Sequence, residues 1–338
     1  MGCLKIRILI GVLSVLLIGA SEAMGATVGR KVVIAHSVMT ADTVPAWIAK
    51  EQRFFEKHGL AAELVAVRGT PILVSGLVTG YIHMGYTGGT GVIGGVAGGA
   101  DLKTVATFFS KPALRVVART DITRTEDLRG KRLGVQSIGG ANWMMSTLAL
   151  EQVGLEPQRD KIQVLGIGGG PLRAQALEAG SIDFTIFTNV SLVNRLKDKG
   201  FRLLADLPPV PFASLGVVVE RGYRDSHGDV IESVLKALVE AVAFAVSPRN
   251  KRLTVDVLAK RLKVSATSAE EGYEEFVQGV ALKPYTLMEG LKNIQRLMAV
   301  HNPQVAKVEL RDIVDNSFIQ KLDESGFLNR LHSTYGGR

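Results

Sequence analysis

The chain has 338 residues, of which 46% are hydrophobic and 21% charged, and its formal net charge is +8. This composition excludes a disordered chain, and the length predicts about two domains. The Lys and Arg residues never form a run of five, so the charge predicts a basic solvated surface and no nucleic-acid site.

The first 23 residues have the layout of a cleavable secretory signal. Lys5 and Arg7 precede an apolar run over 8–20, and the small-x-small triplet Ser-Glu-Ala follows at 21–23. The run is shorter than the roughly 20 residues that span a bilayer as a helix. We therefore expect cleavage after the triplet and a periplasmic location. Cys3, the one cysteine, would leave with the signal, which excludes disulfides, cysteine nucleophiles and thiolate metal sites in the mature protein.

The remainder alternates predicted strands and helices in two similar halves. In the first half, apolar runs predict strands over 32–37, 62–67, 83–87, 102–108 and 114–119. In the second half, they predict strands over 132–137, 161–167, 184–188 and 201–206, with helices that begin near 141, 171 and 189. This alternation predicts an α/β protein with parallel-rich sheets covered by helices.

The two halves also align with each other at an offset of 100 residues. Identical residues stand at equivalent positions, namely Pro71 and Pro171, Leu77 and Leu177, Gly80 and Gly180, and Ile82 and Ile182. We interpret the halves as two copies of one βαβαβ unit. The stretch FASLGVVVERGY then predicts one more strand that returns to the first lobe. Helical periodicity follows over 229–247, 251–262, 268–281, 286–301 and 312–325.

These elements predict two lobes that meet across a ligand cleft. Lobe one would comprise 27–118 and 214–338, with its helical part from 229, and lobe two would comprise 119–213. The chain would cross between them near residues 119 and 213.

The stretch GTGVIG, from Gly89 to Gly94, matches the G-x-G-x-x-G dinucleotide fingerprint. A Rossmann site also needs an acidic residue at the end of the next strand, but LKTVATFFSK ends in Phe-Ser-Lys, and no Walker lysine follows the glycines. We therefore expect no nucleotide cofactor. Two interpretations stay open: close packing of the helix on the sheet, or backbone amides presented to an anion, which we favour.

Four segments carry a family resemblance, namely VPAWIAKEQRFFEKHGLAAELVAV, LVTGYIHMGYTGG, DLRGKRLGVQS and LRAQALEAGSID. Over residues 31–327, the chain resembles the substrate-binding proteins of ABC importers for nitrate, taurine and alkanesulfonates. The resemblance implies a two-lobed periplasmic binding protein of type II. Each lobe would hold a mixed, mostly parallel sheet flanked by helices, with the helical C-terminal segment packed on lobe one.

The resemblance also implies that the ligand is held by strand-to-helix turns at the mouth of the cleft. The expected ligand-binding residues are His36, Ser37, Met39, Thr70, Tyr86, Thr87, Gly88, Gly89, Thr90, Ser137, Gly139, Asn142, Thr188 and Asn189. The chain departs from the family at His83 and Gly89, where many members have an acid or another polar residue. It also has Thr-Asn-Val at 188–190, where sulfonate binders often carry an aromatic.

Several of these candidates have a structural alternative. His36 could bind the ligand or be a packed, capping histidine, whereas for Trp47 a core role is favoured over a wall of the cleft. Ser137 and Asn142 could grip a ligand or cap a helix. Arg173, in the first turn of a helix where its charge opposes the macrodipole, indicates either a nearby anion or an outer salt bridge, which we favour.

The resemblance implies a monomeric protein that captures a small anion or zwitterion and delivers it to the permease and ATPase subunits of an ABC importer. We expect no catalytic residues, metal or cofactor. The histidines lack metal-ligand spacing and no G-x-S-x-G elbow is present. The alternative is an enzyme of the same fold, of the pyrimidine or menaquinone biosynthesis type.

Overall fold

The computed structural model describes residues 29–336, whose strands form two five-stranded sheets. The predicted signal at 1–23 lies outside the described residues. The first sheet has the strand order β2-β1-β3-β10-β4. Its strands are β1 (Arg30–His36), β2 (Leu60–Ala66), β3 (Met84–Thr87), β4 (Leu102–Phe109) and β10 (Leu215–Glu220).

The second sheet repeats this arrangement with the order β7-β6-β8-β5-β9. Its strands are β5 (Leu114–Ala118), β6 (Arg132–Val135), β7 (Gln163–Gly166), β8 (Phe184–Phe187) and β9 (Arg202–Leu207). In each sheet, four strands run in one direction, and the strand that crosses from the other lobe, β10 or β5, runs opposite to them and pairs antiparallel with both its neighbours. The predicted α/β fold with two mixed sheets is confirmed.

The assignment of residues 114–118 to lobe one was wrong. Strand β5 lies in the second sheet, between β8 and β9, so the boundary of lobe two falls before Leu114. Its run of buried apolar residues identifies a strand, but such a run carries no information about which sheet the strand joins. The predicted return of the chain through β10 to the first sheet is confirmed.

Helices cover both sheets, and most begin where the sequence predicted. The helices of the two βα units are α1 (Val44–Glu51), α2 (Phe54–Lys57), α3 (Thr70–Val78), α4 (Gly89–Ala97), α5 (Ala141–Gln152), α6 (Gly170–Glu178) and α7 (Val190–Asp198). Pro45, Pro71 and Pro171 lie in the first turns of α1, α3 and α6, where the missing N–H costs no hydrogen bond.

The C-terminal part is helical, as predicted. It contains α8 (Arg221–Ser226), α9 (Gly228–Val246), α10 (Lys251–Leu262), α11 (Ala266–Gly279), α12 (Met288–Ala299), α13 (Ser317–Glu324) and α14 (Phe327–Tyr335). The helix predicted over 312–325 begins only at Ser317, because a short 3₁₀ turn occupies Leu310–Ile313. Helix α9 packs against α1 and α2 of lobe one. None of the helices in the described part of the chain is long and apolar enough to cross a membrane.

The two segments that connect the lobes are hydrogen-bonded to each other. The N–H groups of Val210, Phe212 and Ser214 donate to the carbonyls of Pro112, Ser110 and Phe109, at 3.1, 2.9 and 2.8 Å. The two connecting segments therefore pair with each other by backbone hydrogen bonds between the two sheets.

On the α12 side, the lobes share one apolar core. Buried Val116 and Leu133 of the second sheet belong to the same cluster as Phe212 of the connection and Leu291 and Ile294 of α12. Apolar area removed from water here stabilises the contact of α12 with the connection and the second sheet.

Candidate functional site

The ends of strands from both lobes converge on α11 and α12. Thr188, which follows β8, contacts α11 through Glu275, and the 3₁₀ turn Ala41–Thr43, which follows β1, packs on the same helix. Gly89, after β3, and Gly139, after β6, lie against α12 and the His301 that follows it. In open α/β sheets, ligands bind outside the carboxyl ends of the strands, so this region is the candidate cleft.

At the end of β1, His36 is buried and held by backbone. Its Nδ1 lies 3.0 Å from the carbonyl oxygen of Val38, which the Thr43 hydroxyl also contacts at 3.0 Å. Burial lowers the pKa of His36 and outweighs the Val38 hydrogen bond, so the ring is neutral at pH 7. Because Nδ1 must donate to that carbonyl, Nε2 is left as a hydrogen-bond acceptor.

Trp47 packs edge-on against His36, with ring centroids 6.0 Å apart, and is 1% exposed. The favoured core role for Trp47 is confirmed. Ser37 approaches Thr87 of β3, with their hydroxyl oxygens 3.5 Å apart, and Met39 is exposed at 51%. Tyr86 is buried, and its hydroxyl donates to the Asp42 carbonyl at 3.2 Å.

The glycine-rich junction after β3 is a close-packing device. A Cβ on Gly88 would lie 2.2 Å from the carbonyl oxygen of Ser214, and one on Gly89 would lie 2.9 Å from side chains of Leu291 and Ile294. The Gly89 amide donates to Ala213 at 2.9 Å, and the Gly91 amide donates to Gly88 at 3.0 Å. The expectation that the Gly89 and Gly91 amides are free for a ligand was therefore wrong.

This packing predicts opposite effects for two alanine substitutions. Gly88→Ala should lower the free energy of unfolding by about 1–3 kcal/mol, because its methyl group meets backbone that cannot move aside. Gly94→Ala is the matched control: its Cβ would find Met298 Cε at 3.6 Å, and the helix interior gains up to about 1 kcal/mol. Urea unfolding of both variants checks this, and equal stabilities would contradict the packing role.

Thr70 and Thr90 stand at the starts of α3 and α4. Both line a groove of about 670 Å³ between these helices. The remaining lining residues of the groove are Pro71, Val74, Ser75, Val78, Thr79, Gly91, Gly94, Gly95, Gly98, Gly99 and Ala100. Away from Thr70 and Thr90 the lining is mostly apolar or glycine, with Ser75 and Thr79 as further hydroxyl groups.

In lobe two, the loop after β6 lies against the end of α12. Asn142 uses Oδ1 to accept the Gln136 amide at 2.9 Å, which leaves its Nδ2 as a donor, and Ser137 is exposed. The rings of Trp143 and His301 lie 5.2 Å apart. Here the loop forms a cavity of about 300 Å³, lined by Ile138, Gly139, Met144, Met298, His301 and Asn302.

At the start of α7, the side chains of lobe two bind carboxylates of α11. Asn189 caps α7 through Oδ1, which accepts the Leu192 amide at 2.8 Å, and its Nδ2 lies 3.3 Å from Glu275 Oε2. The Thr188 hydroxyl donates to Glu275 Oε1 at 2.5 Å, and the Ser191 hydroxyl donates to Glu274 at 2.8 Å. Further along, Arg195 forms an ion pair with Glu271 at 3.6 Å. These contacts join α7 of lobe two to α11 of lobe one.

Asp42 is an acidic residue of the cleft that the sequence analysis did not select. Burial, with the neighbouring Glu275 carboxylate as a second cause, raises the pKa of Asp42 to about 7. Glu275 was missed as well. Four glutamates in α11 were visible in the sequence, but nothing local indicated that one of them would reach lobe two.

Arg173 is buried, at 6% exposure, and not on the outer surface as favoured. Its Nη1 donates to Thr185 Oγ1 at 3.0 Å and to the Ile186 carbonyl at 2.7 Å, while the guanidinium lies 5.0 Å over the Phe187 ring. Its Nε has no protein partner among the described residues. Burial lowers the pKa of Arg173 to about 10, against the opposing influence of Glu275, so it remains cationic at neutral pH.

Two mixed α/β lobes, each completed by a strand that crosses from the other, define the fold of the two-lobed periplasmic binding proteins. The chain belongs to the NMT1/THI5-like family, whose model matches residues 40–250. An Escherichia coli K12 protein named for aliphatic sulfonate binding is 27% identical over 224 residues, which are 65% of this chain and 68% of that protein.

Solved structures have the same fold at lower identity. The periplasmic aliphatic sulphonate binding protein SsuA from Escherichia coli is 22% identical, with a TM-score of 0.67 and coverage of 86% of this chain and 99% of that chain. The periplasmic nitrate-binding protein NrtA from Synechocystis PCC 6803 is 12% identical, with a TM-score of 0.58 and 92% of each chain covered.

Proposed function

We propose that this protein is an extracytoplasmic solute-binding protein that captures a small organic anion or zwitterion between its lobes and delivers it to an ABC import permease. The observation that carries the proposal is the hydrogen bonding of Thr188 and Asn189, at the start of α7, to Glu275 of α11. It brings side chains of both lobes together at the carboxyl ends of the strands. The paired connection at 110–113 and 208–214 supports closure by rotation.

Family membership supports the binding role, and the relatives named for sulfonate and nitrate binding support a periplasmic location and an acidic ligand. The residues proposed to line the cleft are the side chains of Ser37, Thr90, Asn142, Thr188 and Asn189. Each is a short polar group near a strand end, which suits recognition of a small polar solute.

Binding is expected to stabilise the protein and compact it. A solute that binds only the folded state raises the free energy of unfolding by about 2.7 kcal/mol at a hundredfold excess over its dissociation constant. A solute that contacts both lobes also shifts the population toward the closed form. Thermal-shift screening of sulfonates, nitrate, carboxylates, amino acids, pyrimidines and nucleotides should identify the ligand, and small-angle scattering should then record a smaller radius of gyration.

Two results would contradict this proposal. A saturating ligand that leaves the dimensions of the protein unchanged argues against closure. Stabilisation by NAD or ATP alone argues for the nucleotide interpretation of GTGVIG.

A further inference from the structure

Arg173 is a buried cation without an acidic partner. The buried ionised side chains of the described residues are Asp160, Arg173 and Glu240. Lys or Arg nitrogens lie within 3.0 Å of both carboxylates. In the same part of the chain, no carboxylate oxygen lies within 4.0 Å of the Arg173 guanidinium. A buried charge costs free energy unless an opposite charge meets it, and a cation in the first turn of a helix adds to that cost.

The protein uses one edge of this guanidinium and leaves the other unpaired. Nη1 donates to Thr185 Oγ1 at 3.0 Å and to the Ile186 carbonyl at 2.7 Å, and the guanidinium carbon lies 5.0 Å over the Phe187 ring. Neither Nε nor Nη2 donates to any residue that the structure describes. The Nε–H and the adjacent Nη2–H point the same way, which is the donor pair that binds two oxygens of one carboxylate or sulfonate. The edge that suits an oxyanion is therefore the unpaired one.

This edge lies beside the first turn of α6. A Cβ built on Gly170, the first residue of α6, would lie 3.9 Å from Nη2 of Arg173. No side chain caps α6, and the first amides of a helix have no intrahelical acceptor. A Cβ on Gly169, the N-cap residue, would meet nothing within 4 Å, so the space beside these amides is open. Two sets of donors thus lie together beyond the end of β7, where ligands of open α/β sheets bind.

Lobe one shows that the fold does not require an arginine at this position. At the offset of 100 residues, Arg173 corresponds to Leu73 of α3, and Thr185 corresponds to Gly85 of β3. Leu73 is fully buried and packs on Gly85, where an added Cβ would lie 2.5 Å from Leu73 Cδ2. The same place holds an apolar pair in lobe one and a cation with a hydroxyl in lobe two. Packing alone therefore does not account for Arg173.

We infer that Arg173 binds the acidic group of the solute, with two oxygens of that group on Nε and Nη2 and the amides at the start of α6 beside them. This inference rests on the proposed function and deepens it, because it assigns the anion to lobe two and to a residue outside the five proposed to line the cleft. The Gly89 and Gly91 amides of lobe one donate within the protein and are not needed for the charge.

Two small oxyanions, methanesulfonate and acetate, test this inference by titration calorimetry of the ligand-stripped protein, with chloride at the same ionic strength as the control. Both oxyanions should bind the unmodified protein, and Arg173→Met, which keeps the length of the side chain, should weaken binding about tenfold or more. Arg173→Lys should not restore it, because an ammonium group lacks the parallel donors. Arg195→Met is the matched control: Arg195 lies in the same lobe and is paired with Glu271, so the affinity should stay within about twofold.

A readout at the arginine itself separates direct contact from an indirect effect. In NMR spectra of the arginine Nε–H groups, the resonance that is absent from Arg173→Met should be the one that shifts when methanesulfonate is added to the unmodified protein. A shift confined to other arginines would contradict binding at Arg173.

Two further outcomes would overturn the inference: equal affinity of Arg173→Met and the unmodified protein, or no binding of either oxyanion to the unmodified protein. If Arg173→Met does not fold, Arg173→Leu combined with Thr185→Gly, the pair found in lobe one, replaces it with the same expected loss. The proposed function fails separately. Oxyanion binding at Arg173 without compaction would contradict closure and keep this site, whereas a solute that binds and compacts Arg173→Met normally would keep the binding role and remove this site.

Discussion

Replacing Asp42 by asparagine is expected to raise the free energy of unfolding at pH 8 by up to about 4 kcal/mol. The cause is the raised pKa of about 7 in the folded protein, against 3.8 for an ordinary aspartate. Between these values the folded protein holds a proton that the unfolded chain has lost. The stability of the unmodified protein therefore falls as the pH rises from about 4 to about 7, and asparagine removes that fall.

Urea unfolding of both proteins between pH 4 and pH 8 measures the effect. The two stabilities should agree near pH 4 and differ most at pH 8. Asp206→Asn, at an exposed carboxylate paired with Arg115, is the control and should follow the unmodified protein. Parallel curves for Asp42→Asn and the unmodified protein would contradict a buried, destabilising Asp42.

This expected gain in stability bears on function. Protein positions that cost stability and lack internal compensation are characteristic of binding sites, because the ligand supplies the missing interaction. An Asp42→Asn protein that is more stable and binds its solute more weakly would fit that pattern.

Replacing Glu240 by glutamine is expected to lower the free energy of unfolding at pH 7 by about 2–3 kcal/mol. Glu240 lies on α9 and is 1% exposed. Burial alone would raise its pKa, but hydrogen bonds from His58 and Lys57, at 2.8 and 2.5 Å, and from the Tyr335 hydroxyl, at 2.7 Å, lower it to about 2. One carboxylate thereby ties α2 and the C-terminal α14 to α9.

The sign of the pH dependence is opposite to that of Asp42. A lowered pKa contributes stability that is present above pH 4.5 and is lost as the pH falls toward 2. The glutamine variant lacks this contribution, so its stability should approach that of the unmodified protein near pH 2. Tyr335→Phe, which removes only one donor, should cost about 1 kcal/mol at pH 7. A Glu240→Gln loss no greater than that would contradict the ion-pair role.

Periodicity located every strand of the two sheets but placed some ends incorrectly. Strand β1 was predicted over 32–37 and runs from Arg30 to His36, with Arg30 and Lys31 paired to Leu60 and Ala61 of β2. The ends of a strand are set by its backbone hydrogen bonds to a neighbouring strand. Arg30 and Lys31 are polar, so a search for apolar residues does not include them in the strand. The same limit explains the wrong sheet for β5.

His83, where the chain departs from the family, has the same structural role as an aspartate at the equivalent position of lobe two. His83 Nδ1 accepts the Val33 amide at 2.8 Å, and in lobe two Asp183 Oδ2 accepts the Arg132 amide, also at 2.8 Å. His83 and Asp183, which are 100 residues apart, therefore have the same role: each accepts a backbone N–H just before the third strand of its βαβαβ unit. Histidine and aspartate differ as residue types, but the position requires only a hydrogen-bond acceptor.

Glu275 and Asp42 could not have been predicted, because their proximity depends on how α11 docks across the cleft. The Gly89 amide was misjudged for a similar reason. Its partner, the Ala213 carbonyl, belongs to the segment that returns from lobe two to lobe one, more than 120 residues further along the chain. A local motif shows which hydrogen-bonding groups a segment contains. Whether those groups are free for a ligand depends on the tertiary packing, because other parts of the protein can already be hydrogen-bonded to them.

The placement of β10 between β3 and β4 sets an order of assembly during synthesis. The strands of the second sheet are contiguous in the chain, from Leu114 to Leu207, so that sheet can pair as soon as they are available. The first sheet has a gap at its fourth position until Leu215–Glu220 arrives, and β4 has no neighbouring strand before then. Non-local pairing of this kind is slow to form. The lobe that contains the start of the described chain is therefore the last to be completed.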